Sequence, residues 1–88
     1  GLGILVQDIS IKKRKELETN YGAEVKAVRK DSEAYKEIAL GDVITKINGS
    51  DIKDKDDYAK EVEKNKGKKV KLELLRKGKV IIKELVVK

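Results

Sequence analysis

Few residues in this chain could make or break a covalent bond. His and Cys are both absent, so neither an imidazole base nor a thiolate nucleophile is available. A serine needs an activating base within reach. A Ser–Lys dyad would have to use Ser10, Ser32 or Ser50. Each serine reads better as a cap or turn residue: Ser10 and Ser32 stand before stretches of helical composition, and Ser50 follows Asn48-Gly49. No cluster of metal-ligating residues appears, and the sequence calls for no cofactor. The chemistry that remains is non-covalent capture. Gly1 and Gly3 flank Leu2 at the start of the chain. Glycine accepts positive φ and close backbone approach, so a Gly-x-Gly loop can turn successive N–H groups outward into a concavity for an anion such as a carboxylate. Ile4-Leu5-Val6-Gln7-Asp8-Ile9 follows at once and reads as a strand. A carboxylate-holding loop that runs into a strand with a free edge would take the C-terminus of another polypeptide by strand addition.

Positioning such a loop requires a folded scaffold, and the composition describes its kind. The 88 residues are enough for one domain with one modest core. Because the sequence opens inside the loop motif, it reads as one domain, residues 1–88, of a longer protein. Charged residues make up 43% of the chain, yet the apolar positions are periodic, which argues for folding rather than disorder. All three aromatic residues are Tyr, so the core must be built from Ile, Val and Leu. Without Cys there is no disulfide framework, and the redox compartment stays open. The abundance of Lys and Glu with neither Cys nor Met resembles hyperthermophile usage. No run approaches the ~20 apolar residues of a membrane span, and no signal peptide opens the chain.

The elements follow in order. Ser10 is the expected N-cap of a short helix over Ile11 to Asn20 whose thin apolar face rests on Ile11 and Leu17, with Tyr21-Gly22 ending it. Ala23 to Val28 alternates small apolar with charged residues, as a half-buried strand does. Asp31 or Ser32 caps a second short helix through Glu33 to Ala39, and Gly41 stops it. Val43, Ile44 and Ile47 form a buried strand that turns at Asn48-Gly49, and Asp51-Ile52-Lys53 returns as a very short one. Asp54 caps a helix from Lys55 to about Asn65, with Asp57 in an acid-rich first turn and Tyr58, Ala59 and Val62 on one face. Gly67 ends it. Val70 to Leu74 and Val80 to Val87 form a closing hairpin about Lys77-Gly78. Short connections and a terminal hairpin favour an α+β fold: a small antiparallel sandwich or partial barrel capped by two or three helices.

At Leu40-Gly41-Asp42-Val43-Ile44-Thr45-Lys46-Ile47-Asn48-Gly49 the sequence resembles the Gly-Asp-x-Ile-x-x-Ile-Asn-Gly hallmark of PDZ domains. Gly1-Leu2-Gly3-Ile4 is similar to that family's Gly-Leu-Gly-Phe carboxylate-binding loop, with Ile in place of Phe. Leu2 to Ile9, the short helix and Tyr21-Gly22-Ala23 resemble the PDZ modules that follow the catalytic domain in bacterial HtrA-type serine proteases. The resemblance covers nearly the whole chain. It implies a circularly permuted bacterial strand order, with Lys79 to Val87 as last strand, and an attached protease to which the module delivers substrate or which it regulates. It also implies a periplasmic or cell-envelope location. Two features depart from the family: Asp31-Ser32-Glu33-Ala34 replaces its usual Ser-Pro-Ala, and Leu40 abuts Gly41 directly. The His that opens the groove helix in one PDZ class is missing, so that class's Ser/Thr preference does not carry over. A PDZ module of a membrane metalloprotease or of a carboxyl-terminal processing protease would look much the same.

The residues themselves give the binding geometry expected. Side chains alternate along a strand, so Leu2, Ile4 and Val6 point one way and Leu5 and Gln7 the other. The first set would floor a pocket for the ligand's last side chain, with Ala59 and Val62 as its wall. Amides around Leu2, Gly3 and Ile4 would take the terminal carboxylate. Tyr58 is expected to pack beneath the helix. The partners so described are C-terminal or extended hydrophobic peptides, bound with micromolar affinity, on the order of −8 kcal/mol. The rival reading is nucleic acid. The net charge is +6, and residues 64–88 set many Lys and Arg against only Glu73 and Glu84. Yet stacking aromatics and recognised nucleic-acid motifs are missing, and lysines that alternate with apolar residues mark the solvated face of a sheet.

Overall fold

Where the sequence alternates apolar with charged residues, strands form, and antiparallel pairing joins them into one sheet. A computed structural model describes every residue from Gly1 to Lys88. The strands are β1 (Ile4–Asp8), β2 (Ala23–Val28), β3 (Val43–Ile47), β4 (Ser50–Asp51), β5 (Lys69–Arg76) and β6 (Lys79–Val86). Two α-helices, α1 (Ile11–Leu17) and α2 (Lys55–Lys64), and one 3₁₀ turn, Glu33–Lys36, complete the chain. The sheet runs β1-β2-β3-β5-β6 with β4 paired to β3, and it does not close. Its two free edges are β1 and β6. No helix is long and apolar enough to cross a membrane.

The core is aliphatic, as composition requires. Ile44, Ile47, Ile52, Leu72, Leu74 and Leu85 are essentially inaccessible, and Val25, Val70 and Val87 fill between them. Each such side chain contributes roughly 1.5–3 kcal/mol on burial. Two-residue hairpin turns set the strand registers. Asn48 (φ 50°) and Gly49 (φ 82°) join Ile47 to Ser50, and Lys77 (φ 53°) and Gly78 (φ 78°) join Arg76 to Lys79. Positive φ at both central residues matches the strands' own twist.

The Gly41-Asp42 pair proves to be structural. Asp42 is buried and its carboxylate accepts from the Ala39 N–H at 2.9 Å and from Arg76 Nε and Nη2 at 3.0 and 2.8 Å. Arg76 also donates to the Glu37 carbonyl, and Lys83 Nζ reaches Glu37 Oε2 at 2.9 Å. Hydrogen bonding to Asp42 pushes the Arg76 guanidinium above its ordinary pKa; partial burial opposes that shift less strongly. One buried carboxylate therefore ties the loop before β3 to β5 and, through Glu37, to β6.

Three elements differ from the sequence reading in where they begin or end. The first helix stops at Leu17 rather than Asn20, because Glu18 takes the left-handed conformation (φ 53°, ψ 39°). Ile11 does not anchor it: that side chain is 70% exposed, and no residue of α1 is buried. The expected second helix over Glu33 to Ala39 is a single 3₁₀ turn. Ser32 makes no cap, since its Oγ donates to the Arg29 carbonyl, and Asp42 takes the Ala39 N–H. The short returning strand lies at Ser50–Asp51, one residue earlier, and leaves Ile52 free to enter the core. The two ends of the chain meet, with the Gly1 ammonium donating to the Lys88 carbonyl and the Lys88 N–H to the Gly1 carbonyl at 3.1 Å.

Candidate functional site

A groove of about 570 Å³ lies between β1 and α2. Gly1, Leu2 and Gly3 line one end, Ile4, Leu5 and Val6 line the strand side, and Ala59 and Val62 line the helix side. The structure thus brings together all of the residues singled out from the sequence. It also sorts them. Leu2 belongs to the core, Ile4, Val6 and Val62 are half-buried against it, and Ala59 and Leu5 are exposed.

The loop end rests on Gly3. Its φ is 76°, and a Cβ there would stand 2.6 Å from Ser32 Cβ, so a side chain is excluded on both counts. Gly1 is different. A Cβ at Gly1 would meet only Val62 Cγ1, at 4.0 Å, an ordinary contact. The Arg29 N–H donates to the Gly3 carbonyl at 2.8 Å and fixes the loop to the end of β2. The N–H groups of Leu2 and Gly3 donate to no acceptor within the protein. Two adjacent unpaired amides on a fixed loop present a site for an anion.

The helix is held at the other end of the groove. Asp54 Oδ1 accepts from the Asp57 N–H at 2.8 Å, while Asp57 Oδ2 accepts from the Lys53 N–H at 3.0 Å, a reciprocal cap. Asp8, the last residue of β1, accepts from the Lys55 N–H at 2.9 Å and closes the far end. Tyr58 roots the helix in the core at 6% exposure, as the sequence led us to expect, and its ring also contributes to the groove floor. Burial raises the Tyr58 phenol well above its ordinary pKa, and its hydroxyl has no hydrogen-bond partner.

A β-bulge shapes the strand side. Leu5 pairs with Ala27 but Val6 with Val25, so Lys26 is the extra residue of β2. A bulge re-aims the residue it inserts, and the Lys26 ammonium reaches Glu24 Oε2 at 3.0 Å. Glu24 is buried and also accepts from the Ser10 N–H at 3.0 Å. Burial by itself would raise the Glu24 pKa; the Ser10 amide and Lys26 more than offset it and hold the carboxyl below its ordinary value.

Sequence reasoning missed Ala27, Arg29, Lys55, Asp56 and Glu63, which also line the groove. Ala27 and Arg29 enter through the pairing of β2 with β1, a long-range fact invisible locally. Lys55, Asp56 and Glu63 were within reach of sequence, since they share the helix face with Ala59 and Val62 at i±3 and i±4 spacing.

A family model described as "PDZ domain" matches residues 1–87. The chain belongs to the PDZ domain family. PDZ domains are binding modules rather than catalysts. Among solved structures, the HtrA3 PDZ domain bound to a phage-derived ligand, FGRWV, superposes with a TM-score of 0.81 at 24% identity, over 99% of this chain and 82% of that one. The HtrA-type protease AlgW with a decapeptide matches with a TM-score of 0.81 at 23% identity, over 98% of this PDZ domain and 28% of the protease chain. At these identities the likeness is one of fold.

Proposed function

We propose that this PDZ domain captures the C-terminal end of a partner polypeptide by strand addition along β1. The observation that carries the reading is the coincidence, at one end of an apolar groove, of the unpaired Leu2 and Gly3 amides with the half-buried side chains of Ile4, Val6 and Val62. The amides receive the terminal carboxylate, and the last side chain enters between β1 and α2. The following residues extend the sheet until Asp8 and Lys55 close the groove. The same reading makes the domain an accessory to an attached serine protease, to which it delivers substrate or which it regulates in the cell envelope. The two peptide-bound fold relatives support this assignment.

The test is an amide-detected NMR titration with a peptide ending in Val, Leu, Ile or Phe. Shifts concentrate at residues 2–6, and amidating the peptide's C-terminus weakens binding at least tenfold, about 1.4 kcal/mol. Equal binding of the acid and amide forms refutes carboxylate capture.

A further inference from the structure

The sheet has two free edges, and the groove uses only one. β6 pairs with β5 along its whole length, from Lys69↔Val86 to Arg76↔Lys79, and with no strand on its other side. It contains neither a bulge nor Gly nor Pro. Proteins usually blunt an exposed edge with short strands, bulges or free charged side chains. Here Lys83, in the middle of the strand, is held by Glu37, and the solvent face carries Val80, Ile82 and Val86 at 62%, 54% and 36% exposure, with Glu84 between the last two and paired to Lys69. A regular unpaired edge whose solvent face is apolar at three of its four positions is suited to receive another strand.

We propose that the β6 edge is a self-association surface at which two copies of this chain pair their β6 strands antiparallel, about a twofold axis at Ile82. The occupant and the register follow from the charges. A twofold axis normal to the sheet sets solvent-facing residues against solvent-facing residues, so the residue at the axis fixes every pair. An axis at Ile81 sets Lys79 against Lys83. Axes at Lys83 and Glu84 set each of these residues against itself. An axis at Ile82 pairs Lys79 with Leu85, Val80 with Glu84, Ile81 with Lys83 and Ile82 with Ile82, with no like charges opposed. Axes nearer either end leave little of the strand paired. The strand is therefore complementary to itself in one register. A single edge contact of this size makes a weak, concentration-dependent dimer. It is independent of the peptide reading, because β1 and α2 take no part.

Sedimentation equilibrium from micromolar to millimolar protein tests it. The mass rises from the 9.9 kDa of one chain towards twice that value. Val80→Glu places a carboxylate opposite Glu84 of the partner subunit and weakens association at least tenfold; Val80→Lys places an ammonium there and leaves it equal or tighter. Val80 is mostly solvent-exposed, so both variants retain the wild-type melting temperature, which a thermal scan verifies. A wild-type protein that stays at one-chain mass at millimolar concentration overturns the proposal, as do two Val80 variants that associate alike.

Discussion

The two helices start in the same way and are held in opposite ways. Ser10 Oγ accepts from the Lys13 N–H in α1, and Asp54 accepts from the Asp57 N–H in α2, so each has a side-chain cap. Beyond the cap they part. α1 buries no residue fully, leaving Leu17 half-buried, and its hydrogen bond to β2 runs from the Ser10 N–H to the Glu24 carboxylate. α2 drives Tyr58 into the core and lays Val62 half-buried along the groove. A helix held by packing can serve as the wall of a binding site, because side chains fix its rotation about its own axis. A helix without a fully buried side chain lacks that anchor.

Substitutions can break that contrast or sharpen it. The largest effect is expected at Tyr58. Tyr58→Ala removes the one buried anchor of α2 and should cost about 3–5 kcal/mol, read as a drop in thermal midpoint. Val62→Lys separates wall from anchor. Its long stem can carry the charge to solvent, so stability should fall by about 1 kcal/mol or less while peptide affinity falls at least tenfold, about 1.4 kcal/mol. If Val62→Lys melts the domain and Tyr58→Ala loses only ligand, the two residues have exchanged roles.

The α1 side of the contrast rests on Glu24. Its folded pKa lies below the ordinary 4.5, so its contribution is present above that value and is lost as pH falls through the lowered one. Glu24→Gln keeps an acceptor for Ser10 but loses the charge facing the partly exposed Lys26, a cost of about 1 kcal/mol near neutrality. The gap in melting temperature between variant and wild type should close as the pH is taken below about 4.5. A gap that stays constant with pH would remove the charge from the explanation. The smallest effect belongs to Ile11. Exposed as it is, Ile11→Ala should change stability by less than about 0.5 kcal/mol, checked in a urea melt.

Most of α2 was legible in the sequence because its signals are local. Asp54 precedes the helix, acids fill its first turn, Gly67 follows it, and Tyr58 and Val62 share a face. The carboxylate loop was legible through Gly1-Leu2-Gly3, while the two reasons for glycine at Gly3, its φ of 76° and the closeness of Ser32, emerge only in the folded chain. α1 was misjudged because its hydrogen bond to the sheet runs from the Ser10 N–H to Glu24, a buried carboxylate on another strand. No periodicity in residues 11–20 encodes that contact. The 3₁₀ turn was overextended for a similar reason: Asp42, beyond its end, takes the Ala39 N–H that a longer helix would have used. Aliphatic alternation placed β3, β5 and β6 well, whereas the bulges at Lys26 and Thr45, which break that alternation, emerge only when the strands pair.

The meeting of Gly1 with Lys88 has a mechanical consequence. Because Gly1 and Lys88 lie at one corner of the domain, tension applied between them peels the structure open from that corner instead of shearing the long β5–β6 ladder along its length. The bonds loaded first are the pair between Gly1 and Lys88, and the next segment strained on that side is the Leu2-Gly3 loop. A pull on the termini therefore reaches the mouth of the groove before it reaches the aliphatic interior.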